Sequence, residues 1–447
     1  MATGELTTGK PLKLILLFML PIFLGNMFQQ IYTLADTLIV GRTIGLSALA
    51  AVGATGPMVF LIISFIFAST QGFAIITAQK FGARDYPMVK KSVCCSFILS
   101  GLLTVIMTAI SAPFTRQMLV FLRTPEDILT LSENYLFIMF IGIFATVFYN
   151  VTSNTIRALG DSKTPLYFLI FASVLNIFLD LLFILKFHWN IEGAAWATVV
   201  SQGISTVFCL IYMFLKFPVL RLKKEDWKVS KEFLYEHIKV GIPMGFQMSV
   251  LTIGMIAVQY VLNSLGSVAV AAFTTAVRVD QLVSQSLLAL GAAVATYTAQ
   301  NYGAGKLSRI RKGAHASILI AFVISAFCMV ILFFFGKSIV ALFMNVPNEE
   351  VLTLAQQYLN IIMVFFFFLG LLFIYRNILQ GMGNAVVPLI SGVAELIMRA
   401  FAAFVLGHYF GYTGVCIATP SAWIAAAIVL YIGYKISVFR KFKKLTA

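Results

Sequence analysis

The sequence predicts an all-α integral membrane protein with twelve transmembrane helices. They form two six-helix lobes related by a pseudo-two-fold axis along the membrane normal. Three observations predict this. Of 447 residues, 60% are apolar and 11% charged, where an ordinary soluble domain is about 25% charged. Mean hydropathy is +0.95. A set of short segments also recurs, in the same order, about 221 residues later.

A helix needs about 20 apolar residues to cross the hydrocarbon core. Twelve stretches qualify: 14–40, 48–79, 92–112, 128–156, 165–185, 192–215, 241–262, 268–299, 314–335, 350–380, 388–407 and 414–435. The first six make an N-terminal lobe, 1–215. A charged linker, 216–240, follows, and 241–447 makes the C-terminal lobe. The linker's Trp227 and alternating charges suit an amphipathic segment at the membrane surface. The repeat pairs Gly45-Leu-Ser-Ala-Leu-Ala-Ala51 with Gly266-Ser-Val-Ala-Val-Ala-Ala272, and Thr77-Ala-Gln-Lys-Phe-Gly-Ala83 with Thr298-Ala-Gln-Asn-Tyr-Gly-Ala304. It also pairs Gly160-Asp-Ser-Lys-Thr-Pro165 with Gly383-Asn-Ala-Val-Val-Pro388. Six is an even number of crossings, so both lobes enter the membrane from the same side.

The net charge of +15 would suggest nucleic acid in a soluble protein. Here 24 Lys and Arg fall in segments on the N-terminal side and 5 in segments on the other. The positive-inside rule therefore predicts both termini in the cytoplasm and no nucleic-acid partner. The N-terminus carries no cleavable signal pattern, so a multi-pass protein of the cell membrane is expected, with the bilayer as its first partner.

Little points to catalysis. Gly4-Glu-Leu-Thr-Thr-Gly9-Lys10 begins like a phosphate-binding loop, but Pro11 stands where Ser or Thr should follow, and no strand precedes it. The four His and five Cys show no ligand spacing; the histidines read as membrane-interface residues. No nucleophile–base–acid set is legible, so no enzyme and no cofactor are expected.

Charges inside a bilayer are costly and mark function. In the first span Gln29, Tyr32 and Asp36 share a helix face. Asn150 and Asn154 do so in the fourth span, Ser173, Asn176 and Asp180 in the fifth, Thr198 and Gln202 in the sixth. The simplest geometry turns these stripes toward one wet cavity. Two carboxylates with Asn and Thr oxygens there suit a small cation, sodium or a proton. The competing reading is a polar network that only joins helices. In the C-terminal lobe, Asn176 maps to Arg399 and Asp180 to Ala403. Glu395 and Arg399 are spaced to pair, and Asp280 is expected to pair with Arg278, Arg376 or Arg399. Any cation site then belongs to the N-terminal lobe. Pro21 lies mid-span and can bend the helix that bears Asp36.

Several segments carry a family resemblance: Gln29-Gln-Ile-Tyr-Thr-Leu-Ala-Asp36-Thr, Asn154-Thr-Ile-Arg-Ala-Leu-Gly160-Asp161, Asn176-Ile-Phe-Leu-Asp180 and Glu192-Gly-Ala-Ala-Trp-Ala-Thr198. With the doubled six-span plan, they resemble the multidrug and toxic compound extrusion (MATE) family over essentially the whole chain. The resemblance implies an antiporter that expels bulky, lipophilic, often cationic compounds while sodium or protons enter. It implies a coupling-cation site at Asp36, Asn154, Asn176, Asp180 and Thr198, with Tyr135 nearby, and a hinge at Pro21. One branch of the family uses an acid in the seventh span. Here 241–262 holds none, so the chain is closer to the branch with an N-lobe site. The protein is expected to act as a monomer, with no cofactor beyond the coupling ion. The rival reading is a lipid-linked oligosaccharide flippase or a narrow metabolite exporter of the same superfamily.

Overall fold

The computed structural model describes residues 5–344 and 348–446, with side chains through 437. The start of the Gly4–Lys10 match and the basic side chains of the tail beyond 437 lie outside the described residues. Within them the fold is helical: α1 (Pro11–Thr43), α2 (Leu46–Gly82), α3 (Tyr86–Ser111), α4 (Thr115–Phe121), α5 (Glu126–Ile141), α6 (Ile143–Ala158) and α7 (Lys163–Leu181). Then follow α8 (Ile191–Lys216), α9 (Lys231–Asn263), α10 (Ser267–Gly303), α11 (Leu307–Ala341), α12 (Glu349–Val364), α13 (Phe366–Gly381) and α14 (Val386–Thr446).

The twelve expected spans are recovered with three refinements. The span expected at 128–156 is α5 and α6, bent by 43°, and that at 350–380 is α12 and α13, bent by 50°. Gly142 lies at the first bend. A side chain there would run into Val199 of α8, so Gly lets α8 pack closely against the bend. The helix α14 is two helices joined at Gly411, whose φ of 56° and ψ of −131° no helix allows; it supplies the last two spans. Most helices run past their expected ends, and the short α4 occupies a stretch read as loop.

The recurring Gly-Asp and Gly-Asn pairs are helix starts. Gly160 has φ of 89° and Gly383 φ of 81°, a backbone that L residues resist. Asp161 then accepts from the amides of Lys163 and Thr164, both at 3.0 Å, and Asn384 from that of Val387 at 3.3 Å. These side chains satisfy amides that a helix N-terminus leaves unpaired.

The chain divides into two compact units. The N-terminal unit is Met1–Glu5 with Leu24–Gly245, and the C-terminal unit is Leu6–Phe23 with Phe246–Ala447. Both α1 and α9 pass from one unit to the other three residues beyond a proline, Pro21 and Pro243. In the C-terminal unit, Ile15, Phe18 and Ile22 of α1 join a core built on Tyr297, Tyr358 and Phe366. The linker lies in the N-terminal unit. Two short 3-10 turns, Pro218–Leu220 and Lys224–Trp227, shape it. Leu220 is buried against Val89, Val93 and Met213, while Trp227 stays exposed. The helix α11 exposes Phe322, Phe327, Phe333, Phe334 and Phe335, as a helix facing lipid should.

One histidine departs from the expected interface role. His237 is fully buried in the N-terminal unit. Its Nδ1 bonds the Phe233 carbonyl and its Nε2 bonds Ser92 Oγ, each at 2.8 Å. Ser92 Oγ in turn meets Thr77 Oγ1 at 2.8 Å. This chain ties the start of α9 to α2 and α3.

Candidate functional site

Five helices of the N-terminal unit bring the predicted residues together. α1 carries Tyr32 and Asp36, α5 Tyr135, α6 Asn154, α7 Asn176 and Asp180, and α8 Thr198. Asp180 and Asn176 sit one helical turn apart and are buried to 0% and 1% exposure. The carboxyl groups of Asp36 and Asp180 lie within reach of each other across α1 and α7. Asn176 Nδ2 donates to Thr198 Oγ1 at 3.3 Å. The Tyr32 hydroxyl reaches Thr198, and Tyr135 stands close to Tyr32 and both acids.

The oxygens of this cluster are the informative part. Asp180 Oδ1 and Oδ2, Asp36 Oδ1 and Asn176 Oδ1 are buried, and none accepts a hydrogen bond from a described residue. Leaving a buried acceptor unpaired costs about 1–3 kcal/mol, more when it is charged. Two adjacent carboxylates add mutual repulsion. A structural network would pair these atoms. Here the amide nitrogen of Asn176 is engaged and its oxygen is left free, so four acceptor oxygens gather without a bonded donor. A proton or a hard, oxygen-loving cation satisfies such a set. Among the described residues no group of three or more His, Cys, Asp or Glu gathers; a softer transition metal lacks its ligands here.

Other residues of the predicted stripes are placed differently. Asn154 is turned toward α2, donating to Thr70 Oγ1 at 3.3 Å, while its Oδ1 receives Arg157 Nη1 at 3.4 Å. It therefore lies at the edge of the cluster. Gln202 accepts from Thr146 at 2.6 Å. Asn150 and Ser173 bond carbonyls of their own helices, and Gln29 is exposed. Sequence reasoning passed over Thr70. It also missed the π-helical turn Leu182–Lys186, which begins two residues after Asp180. Such turns recur at functional sites.

In the C-terminal unit the acid Glu395 holds two arginines. Arg376 Nη2 donates to Oε2 at 3.0 Å and Arg399 Nη2 to Oε1 at 2.6 Å. Asp280 takes no arginine. It accepts from Ser284 at 3.1 Å and Tyr358 at 3.3 Å; Arg376 and Arg399 bond Glu395 instead, and Arg278 is exposed. The hydroxyl of Tyr358, on a different span, could not be foreseen from local spacing.

With this geometry in view, likeness to known proteins becomes decisive. The sequence profile of the MatE family matches residues 21–182 and 243–405. The chain belongs to the MatE family. Its two matched stretches are the two halves of the internal repeat. A probable multidrug resistance protein of Bacillus subtilis, YpnP, is 31% identical over the full length of both chains. The multidrug export protein MepA of Staphylococcus aureus is 26% identical, covering 94% of this chain and 93% of its own. Among solved structures, the outward-facing conformation of a multidrug resistance MATE transporter superposes with a TM-score of 0.91 at 26% identity, covering 98% of each chain. A MATE in the bent conformation gives 0.92, covering 99% of each. This MatE protein is thus a multi-pass membrane transporter of the multidrug efflux family, and not an enzyme.

Proposed function

We propose that this MatE protein is a cation-coupled efflux antiporter of the cell membrane. It works as a monomer with both termini in the cytoplasm. Sodium or a proton enters at Asp36 and Asp180, with Asn176, Thr198 and Tyr135 completing the site and Asn154 at its edge. A bulky lipophilic compound, often cationic, leaves by alternating access, past the polar face formed by Gln29, Tyr32, Asn150, Ser173 and Gln202. The observation that carries this reading is the set of four buried, donor-free acceptor oxygens between α1 and α7. Coupling needs only that the cation bind one conformation better than the other. A cation bridging Asp36 and Asp180 draws α1 toward α7, and its departure lets their charges push the two helices apart. Pro21, where α1 lacks a backbone hydrogen bond, gives that helix the freedom to respond.

The test is efflux of a cationic dye from vesicles holding the purified protein, at fixed pH, with and without an imposed sodium gradient. Sodium-driven export that Asp180→Asn abolishes supports a sodium antiporter. Export driven by a pH gradient alone, lost in the same variant, makes the coupling ion a proton. Export that survives in both Asp36→Asn and Asp180→Asn overturns the site.

A further inference from the structure

The repeat allows the cation cluster to be compared with its counterpart in the C-terminal unit. At the offset of 223 residues, Ser153 becomes Arg376, Ala172 becomes Glu395 and Asn176 becomes Arg399. At the offset of 221 residues that relates α1 to α9, Asp36 becomes Ala257 and Thr33 becomes Gly254. Asp180 becomes Ala403. The same helical frame that sets two acids against each other in one unit thus carries two arginines and one acid in the other.

The balance of charge and hydrogen bonds is correspondingly inverted. Arg376, Glu395 and Arg399 are all about 95% buried, so their excess positive charge is shielded from water. Glu395 satisfies one nitrogen of each guanidinium. Arg376 Nε, Arg399 Nε and Arg399 Nη1 are buried donors without an acceptor. A salt bridge kept only for stability would leave neither the net charge nor the open donors. Gly254 packs its bare backbone against Arg399: a Cβ there would crowd Nη1 at 3.2 Å and meet Arg399 Cδ and Leu396 Cδ1, each at 3.5 Å.

We propose that the Arg376–Glu395–Arg399 cluster is a binding site for a single small monoanion, a halide or a carboxylate, held on the free edges of the two guanidiniums. Glu395 is its built-in competitor: it holds the arginines in place and weakens the site enough for release. The anion comes either from solution, as chloride, or as the carboxylate of a transported compound. The chemistry of recognition is the same. This site is independent of the cation cluster and of the coupling assigned to it.

The experiment is equilibrium binding of radioactive chloride to the purified full-length protein, with gluconate replacing chloride to keep ionic strength constant. Saturable binding, one ion per chain, is expected. Gly254→Ala keeps every charged residue but presses a methyl against Arg399 Nη1, and it should weaken binding about tenfold, the effect of losing one good contact. Arg399→Gln should abolish it. Glu395→Gln removes the competitor and should tighten it, a gain that a purely structural ion pair does not predict. Asp180→Asn should leave chloride binding unchanged while it stops cation-driven export, which separates the two sites. Displacement by acetate or benzoate assigns the site to substrate carboxylates as well. Chloride that those acids cannot displace assigns it to the ion alone. No saturable binding of either anion overturns the proposal, as does binding that Gly254→Ala and Glu395→Gln both leave unchanged.

Discussion

Neither buried oxygen of Asp180 meets a donor other than the carboxyl of Asp36, which faces it within hydrogen-bond reach. Such a pair works against the stability of the protein that carries it, which is how functional groups differ from structural ones. Replacing Asp180 by Asn removes the repulsion and lets the new amide donate to Asp36. The variant should therefore unfold at a higher temperature than the parent, by the equivalent of about 1 kcal/mol, while losing cation-driven export. Thermal unfolding in detergent and vesicle transport on the same preparation check this. A variant both less stable and inactive would mean that Asp180 is structural. This cluster was legible in the sequence because a carboxylate in an apolar span is rare enough to stand out. Thr70 was not legible. A hydroxyl on a membrane helix usually bonds its own backbone, and Thr70 does so, with Ile66 and Phe67 at 3.0 Å. Nothing in α2 shows that its oxygen also receives Asn154. The partner of Asp280 escaped for the same reason: charge suggested an arginine, whereas a hydroxyl supplied the bond.

At the scale of elements, hydropathy located every span and missed every bend. Length and apolarity are sums along the chain, so they survive without any knowledge of neighbours. A bend depends on what packs against it. At the bend between α5 and α6, Gly142 lets α8 come close: Val199 occupies the space where a side chain would be. Val199 is next to Thr198, the residue that holds Asn176. The Gly142→Ala variant should push α8 away and pull Thr198 out of the cluster. Overpacking of this kind costs about 1–3 kcal/mol, and cation-driven export should fall with it. Val199→Ala in the same chain opens the space again and should restore both stability and transport. Failure of the double variant to recover would show that the bend itself, and not the position of α8, is what Gly142 supplies. The second bend, at Phe365, lies 223 residues on with a bulky residue in place of Gly. The repeat therefore conserves the bend through its surroundings and not through one residue type.

The whole molecule is a doubled plan run with two opposite charge patterns, and the doubling fixes its orientation. An even number of crossings per repeat puts both termini on one side, and the excess of Lys and Arg in the segments on that side is the basis of the proposal that this side is the cytoplasm. Two exposed tryptophans test this, since they fall on opposite predicted faces. Trp189 lies between α7 and α8, and Trp227 lies in the linker before α9; they are 46% and 47% exposed. The native background is low, because Cys94, Cys95, Cys209 and Cys416 are buried and Cys328 is partly so. A membrane-impermeant maleimide added to intact cells should label Trp189→Cys and spare Trp227→Cys. After permeabilisation it should label both. Labelling of Trp227→Cys alone in intact cells would invert the topology. The orientation proposal would then fall, while antiport would stand, because the cation gradient and not the sense of insertion sets the direction of exchange. The charge asymmetry of the loops and the sidedness of the termini are in this way one linked claim, and a single labelling experiment bears on both.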